Sequence, residues 1–486
     1  MGYKHGIYQD EIATSISAPI EGTAGLQVIV GTAPVNMLAD PSSAVNTPII
    51  AHSFKEAVAA VGYSEDFAKY TLCEAISANF QVVGVAPIVL INVLDPANSK
   101  FQANMTGGTV TIIDGIAKVE ETGTLVSELT VKKDADTALT KDTDYTTSFN
   151  DDGTLNIIIL DTEATEGLTS VIVSGKKLDP TTVEAADIVG GVNVSTGKET
   201  GLEVVRQVFP KLGLTPGLIL APRFSKNPVV AAAMQAKCND LNGVFDVNCI
   251  IDIDSGLTGA RKYADVKTVK ESQGVSSADA LAVWLYGKVG DVIYSGSALA
   301  GALTAYTDAA NDDTPNVSPS NKTLPITSAC LEDGTDVLLD QEQANEVNGV
   351  GVATWLNING FRLWGNNTAA YPATSDPKDR WFAVKRFFHW TGNSFILTYF
   401  SRVDSPTNKY LIDAIVDSEN VRGNGFVSRG VCAAYRIAYN AEENPKTDLV
   451  DGKIVFHQYL TPYPPAEEIR DVLEFDPDAL SAALSS

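Results

Sequence analysis

The chain has 486 residues, 44% of them hydrophobic and 20% charged, with a formal net charge of −25. That length predicts roughly two to four domains, and that composition predicts folded cores rather than disorder. The acidic balance excludes a direct nucleic-acid partner, which needs a clustered basic footprint, and no apolar run approaches the roughly 20 residues of a membrane span.

The first residues, Met1-Gly-Tyr-Lys-His-Gly-Ile-Tyr, lack an apolar signal core, which predicts a chain made and kept in a cytoplasm. Residues 1–20 read as an arm: Ile7, Ile12 and Ile16 are separated by polar residues, and Pro19 and Gly22 set them off from the next apolar run. Leu26 to Thr32 reads as a strand, Phe54 to Gly62 and Tyr70 to Val82 as helices, and Ile88 to Val93 as a fully buried strand. This is the start of an α/β layer.

The pattern stops near Lys100. Short β-prone runs come next (Thr109 to Ile113, Leu129 to Lys132, Leu155 to Leu160, Ser170 to Ser174), punctuated by Asp-Gly and Ser-Gly turns and flanked by acidic residues, so an outward-facing inserted β-domain is expected. A receptor- or glycan-binding module is the alternative, but no aromatic cluster marks a sugar platform. The α/β pattern then returns: Leu202 to Leu212 helical, Gly217 to Ala221 a buried strand, Val229 to Leu241 an Ala-rich helix and Phe245 to Ile253 a strand.

Ligand motifs fail one after another. Asp187 to Gly201 looks like a phosphate loop, yet Gly191 stands five residues before Gly197-Lys198 where a Walker A loop needs four, and Glu199 replaces its hydroxyl. A tight junction, where the chain re-enters the α/β core, is the better reading. Asp252-Ile-Asp254-Ser-Gly256 lacks the later ligands of a calcium loop and reads as a strand end with a turn. Arg223-Phe-Ser-Lys, beyond the strand tip at Ala221, offers no convergent acid, base or nucleophile. Four histidines and five scattered cysteines show no metal, disulfide or catalytic spacing. Neither an enzyme nor a cofactor is expected.

One resemblance runs through the chain. Asp187-Ile-Val-Gly-Gly, Thr196-Gly-Lys-Glu-Thr-Gly201 and Pro216-Gly-Leu-Ile-Leu-Ala-Pro222 resemble the core of contractile phage tail sheath proteins, a family that includes the sheaths of R-type bacteriocins. In the same order come Pro319-Ser-Asn-Lys322, Asn345-Glu-Val-Asn-Gly-Val-Gly351 and Gly360-Phe-Arg-Leu-Trp-Gly-Asn-Asn-Thr368. The N-terminal Gly6-Ile-Tyr and Val30-Gly-Thr-Ala-Pro34, and Pro464-Pro-Ala-Glu-Glu-Ile469, are similar as well, so only the β-insert lies outside the likeness. Asn367 departs from the family's Arg, and Gly351 from its Asn.

The resemblance implies an α/β fold with a core of discontinuous segments, an inserted β-rich barrel or sandwich, and an α+β C-terminal domain with strand-donating arms. The expected division is an arm at 1–20, core at 21–100, insert at 101–186, core again at 187–355, C-terminal domain at 356–462 and a second arm at 463–486. It implies a subunit that polymerises with itself helically around an inner tail tube protein, meets baseplate and tail terminator proteins, and contracts to drive the tube through an envelope. The place would be a virion tail or tail-like particle, assembled in the bacterial host cytoplasm, with no nucleic acid bound and no membrane insertion. Ile7, Ile12 and Ile16, and Ile469, Leu473 and Phe475, are then the candidate inter-subunit strand residues, with loose tails as the alternative. On Lys378 to Trp390 a helical projection puts Trp381, Val384 and Phe388 on an apolar stripe and Lys378, Lys385, Arg386 and His389 on a basic one. That basic stripe is the candidate tube-facing surface, an ordinary solvated face being the bland alternative. A self-assembling surface array or adhesin, or a nucleotide-binding enzyme, competes with the sheath reading.

Overall fold

Strands rich in Val, Ile and Leu set the architecture of the larger part of this computed structural model, which describes residues 20–21 and 23–485. β1 (Gln27–Gly31) buries all five of its residues, as a strand covered on both faces must. β2 (Ile49–Ala51), α1 (Phe54–Val61), α2 (Thr71–Ser77) and β3 (Ile88–Asn92) come next. The Ser53 hydroxyl accepts from Glu56 N at 3.3 Å and starts α1, and Gly62 at φ +79 ends it.

The chain then leaves this sheet for six short strands: β4 (Gly108–Ile113), β5 (Ile116–Val119), β6 (Thr130–Lys132), β7 (Tyr145–Phe149), β8 (Leu155–Ile159) and β9 (Ser170–Ser174). They form one antiparallel sheet in the order β7-β8-β5-β4-β9-β6. Alternate residues point inward, so Ala117, Tyr145, Leu155, Ile157, Val171 and Val173 build an apolar cluster separate from the main core.

After this excursion come β10 (Gly191–Val192), β11 (Glu199–Thr200), β12 (Leu218–Leu220), α3 (Pro228–Ala236), β13 (Asn248–Asp252), α4 (Val266–Gln273), β14 (Ala280–Val283), α5 (Gly296–Ala309), α6 (Gln341–Asn348), β15 (Val352–Asn357) and β16 (Phe361–Trp364). The eight-stranded main sheet runs β16-β15-β14-β13-β12-β1-β3-β2, parallel except at its two antiparallel edges. It starts at β1, steps to β3, then crosses back to β12 and walks outward. Its order therefore reverses between β1 and β12, the doubly wound arrangement. Position 356, the expected start of a C-terminal domain, falls inside β15.

Beyond the sheet lie α7 (Pro377–Arg380) and α8 (Phe382–Tyr399). The single helix expected over Lys378 to Trp390 is broken at Trp381, whose extended backbone forms a bridge to Asn367. The chain divides into two compact units, residues 1–411 and 412–486. In the second, α9, which begins at its edge (Lys409–Ser428), packs on an antiparallel pair, β17 (Cys432–Ala438) and β18 (His457–Pro462). Asn420 bonds the main chain of Ile437 in both directions, and the Tyr435 hydroxyl donates to buried Glu419 at 2.7 Å. Gly423 is obligatory, since a Cβ there would lie 2.2 Å from the Tyr435 ring. A last helix, α10 (Pro477–Ser485), ends the described chain.

Candidate functional site

In a doubly wound sheet the ligand crevice opens at the carboxyl ends of the strands, where the order reverses. Here that place is filled. Glu74, fully buried on α2, accepts from Arg223 Nε at 3.0 Å and Nη2 at 3.2 Å and from Ser295 N. Next to it Asp252, at the tip of β13, accepts from Ser225 Oγ at 2.9 Å, Ser297 N at 2.7 Å and Ser297 Oγ at 2.5 Å. The expectation of no convergent acid beside Arg223 is corrected: Glu74, distant in sequence, supplies one. Burial raises both carboxyls, partly offset by Arg223 for Glu74 and by the Ser297 and Ser225 bonds for Asp252. Asp254, the second acid of the calcium-like stretch, accepts from Gly256 N at 3.0 Å and turns the chain after β13.

The glycine-rich stretch is a β10–β11 hairpin whose amides are already engaged. Asn193 Oδ1 accepts from Ser195 N and Thr196 N at 3.0 Å, and Gly197 N donates to Asn193 O at 2.7 Å. Glu199 is buried and ion-paired with Arg206. At the hairpin's base Gly190 (φ +66) and Gly201 (φ +60) cross so closely that a Cβ on Gly190 would lie 1.8 Å from Thr200 O. This geometry holds a close crossing of backbone and leaves no amide nest for phosphate.

The basic stripe of α7–α8 is not a solvated face. Arg386 is 2% exposed and pairs through both terminal nitrogens with Asp308 of α5. His389 is buried, with Nε2 3.3 Å from Asp279 Oδ1 and Nδ1 3.1 Å from Asn248 Oδ1. Lys385 lies 3.3 Å from Asp279 and 3.0 Å from Asp379. One turn further on, Asn393 exchanges two bonds with the main chain of Asp246. Burial alone would raise Asp279, yet bonds from His389 and Asn239 and the charge of Lys385 hold it well below the usual carboxylate range. Lys378 stands apart, 43% exposed and paired with its neighbour Asp379.

The acidic complement expected on a tube is therefore inside this chain, and Arg386 and His389 are corrected from tube-facing to core-facing. Projection on one helix missed this because the acids lie on β14's lead-in and on α5. One signal was there: Asp308 is the lone acid of its helix's buried face, apart from small and apolar residues.

Among the arm candidates, Ile7, Ile12 and Ile16 lie outside the described residues. Ile469, Leu473 and Phe475 are 89%, 90% and 75% exposed and belong to no strand among the described residues. Among the same residues, the β17–β18 pair has no third strand on either edge.

No family model matches the chain. It is 28% identical over 482 residues to the tail sheath protein of Burkholderia phage BcepMu, covering 96% of this chain and 95% of that one. It is also 24% identical over 305 residues to the major tail sheath protein of Serratia phage KSP20, covering 62% and 73%. Over nearly its whole length the chain is thus similar to a contractile tail sheath protein. The fold agrees: a chain of the anti-feeding prophage baseplate superposes with a TM-score of 0.59 at 14% identity, over 98% of this chain and all of that one. A contracted sheath complex of an extracellular contractile injection system gives 0.57 at 13% identity, over 99% of each.

The sheath segments read from sequence meet in space. Asn348 Nδ2 donates to Trp364 O at 3.0 Å and Asn367 Nδ2 to Asn348 O at 3.2 Å, while Arg380 Nε donates to Asn367 Oδ1 at 2.9 Å. Thr368 N bonds Arg380 O at 2.7 Å, and Phe382 N bonds Asn366 O at 2.9 Å. The sheath motif from Gly360 to Thr368 thus anchors the start of α8. The departure at Gly351, in the Asn345–Gly351 motif, has a steric reason: φ is +71, and a Cβ would meet Tyr371 O at 2.5 Å.

Proposed function

We propose that this chain works mechanically: its copies polymerise helically around an inner tail tube, and contraction of that lattice drives the tube through a target envelope. No chemistry at the sheet crevice is needed for this role. The observation that carries the assembly is in the second unit. A two-stranded pair is marginal alone, β17 and β18 each leave an edge open among the described residues, and the same chain carries an exposed apolar stretch at Ile469, Val472, Leu473 and Phe475.

Strand addition between copies satisfies both. Because donor and acceptor surfaces differ, the contact is heterologous and propagates rather than closing on itself. The residue 1–20 arm, with Ile7, Ile12 and Ile16, is the second donor in this reading. The six-stranded insert forms an outward domain, and tube, baseplate and terminator proteins are the partners. Of the four basic candidates only Lys378 keeps an ammonium available to a tube, the others holding α8 on its own core.

Electron microscopy of the purified chain tests the reading. Hollow tubes are expected, and they should vanish, leaving folded monomer, on deletion of residues 1–17 or on truncation after Tyr463. Normal polymers from both variants would refute arm-linked assembly.

A further inference from the structure

The outer face of the β17–β18 pair holds a braced cation. Tyr435 and Ile437 of β17 are buried on the α9 side, so Arg436 between them points the other way, in register with Tyr459 of β18. Its guanidinium carbon lies 4.1 Å from the centre of the Tyr459 ring, on which His457 also stacks at 4.3 Å. Glu443 is taken up by His457 at 2.9 Å, and among the described residues no carboxylate meets Arg436. The ring thus fixes the direction of the guanidinium while its N–H donors stay open. A planar donor set held this way matches a carboxylate.

The same unit supplies carboxylates in a suitable pattern. From Glu468 to Phe475 the chain is exposed and belongs to no strand among the described residues, so in its own copy it stands clear of this face. Laid out as a strand, it puts Ile469, Leu473 and Phe475 on one face with Asp471, and Glu468, Arg470, Val472 and Glu474 on the other. Added from a second copy to the open edge of β18, with the apolar set on the α9 side, it brings those glutamates to the side of Arg436 and Tyr459. The added strand lies two strand spacings from β17, roughly 10 Å, which an Arg leaning over Tyr459 and a Glu span between them. Glu468 is already paired with Arg470 at 2.5 Å, whereas Glu474 has no partner among the described residues.

We propose that Arg436, braced on Tyr459, reads Glu474 of a second copy and so sets the register of the incoming strand on β18. This rests on the strand addition proposed above and deepens it. A slip of one residue turns Glu474 to the α9 side, and a slip of two carries it roughly 7 Å along β18, out of reach.

Electron microscopy of the full chain over a concentration series tests the pair. Arg436→Glu and Glu474→Arg should each raise the concentration needed for tubes about tenfold or more, since each sets like charges face to face, and the double exchange should recover most of that loss. Normal assembly of both single variants, or a double exchange that rescues nothing, overturns the pairing. Rescue of Arg436→Glu by Glu468→Arg in place of Glu474→Arg overturns the register. If Arg436→Glu leaves sheath-only polymers normal and abolishes only binding to purified tubes, the partner is the tube and the proposal also falls. Glu474 is exposed and outside any strand, so Glu474→Arg tests the pair even if Arg436→Glu misfolds. Truncation after Tyr463 is run alongside. If that variant still polymerises, arm-linked assembly has failed and the pair with it; if it does not while the single variants assemble normally, the pair alone has failed.

Discussion

The two ends of the main sheet solve one problem in different ways. At the carboxyl ends, Glu74 and Asp252 are buried and surrounded mainly by hydroxyl and amide donors and one guanidinium, drawn from the loop after β12 and the start of α5. At the amino ends, Asp279 and Asp308 face Lys385, Arg386 and His389 of a helix that arrives after the sheet is complete. The first arrangement closes a crevice, and the second fastens a separate element. Closure draws mainly on neutral donors, whereas pairing Lys385 and Arg386 with placed acids sets the rotation and register of a helix.

The largest expected effect is therefore at the amino ends. Arg386→Ala leaves Asp308 buried and unpaired and should lower stability by about 3–5 kcal/mol, read by urea unfolding. Replacing the pair together, as Asp308→Leu with Arg386→Met, should recover most of that loss. If the double variant is as unstable as the single one, the pair does more than neutralise itself, and the contrast between the two ends is wrong.

Acid separates the ends by sign. Glu74 titrates above its ordinary value in the folded chain, so the fold binds its proton more readily than the unfolded chain does, and protonation favours folding as pH falls toward the ordinary carboxylate range. Asp279 titrates below its ordinary value, so its contribution is fully present above about pH 4 and is lost as pH falls through the folded value. Glu74→Gln should therefore remove a stability gain on acidification, and Asp279→Asn should remove a stability loss below about pH 4. Denaturant midpoints of the three proteins from about pH 3 to pH 7 check both signs.

How far the sequence carried this varies by element. β3 was legible because five consecutive buried residues leave no other reading of Ile88–Asn92, and β9 because Ser170–Ser174 alternates cleanly. The collinear sheath segments were legible because glycines and asparagines tied to special backbone geometry keep their spacing. The break at Trp381 was not, since a bridge to Asn367 overrides helical periodicity through a contact no local window contains. The docking of α8 was hidden for the same reason: Lys385, Arg386 and His389 look like a surface stripe until Asp279 and Asp308 are brought beneath them.

Lys378 gives the smallest effect and the sharpest use of the contrast. It sits on α7, ahead of the break at Trp381, and it pairs with its neighbour Asp379, which Lys385 already serves. An exposed pair of this kind contributes about 0–1 kcal/mol, so Lys378→Glu should leave the urea midpoint nearly unchanged while Arg386→Ala does not. If the α7–α8 surface meets a tube at all, Lys378→Glu should also weaken co-sedimentation with purified tubes, and more so at low salt, where exposed charges are screened least. A variant that loses tube binding with its stability intact separates the helix's outward role from its inward one; a variant that keeps tube binding at low salt moves the tube contact off this helix altogether.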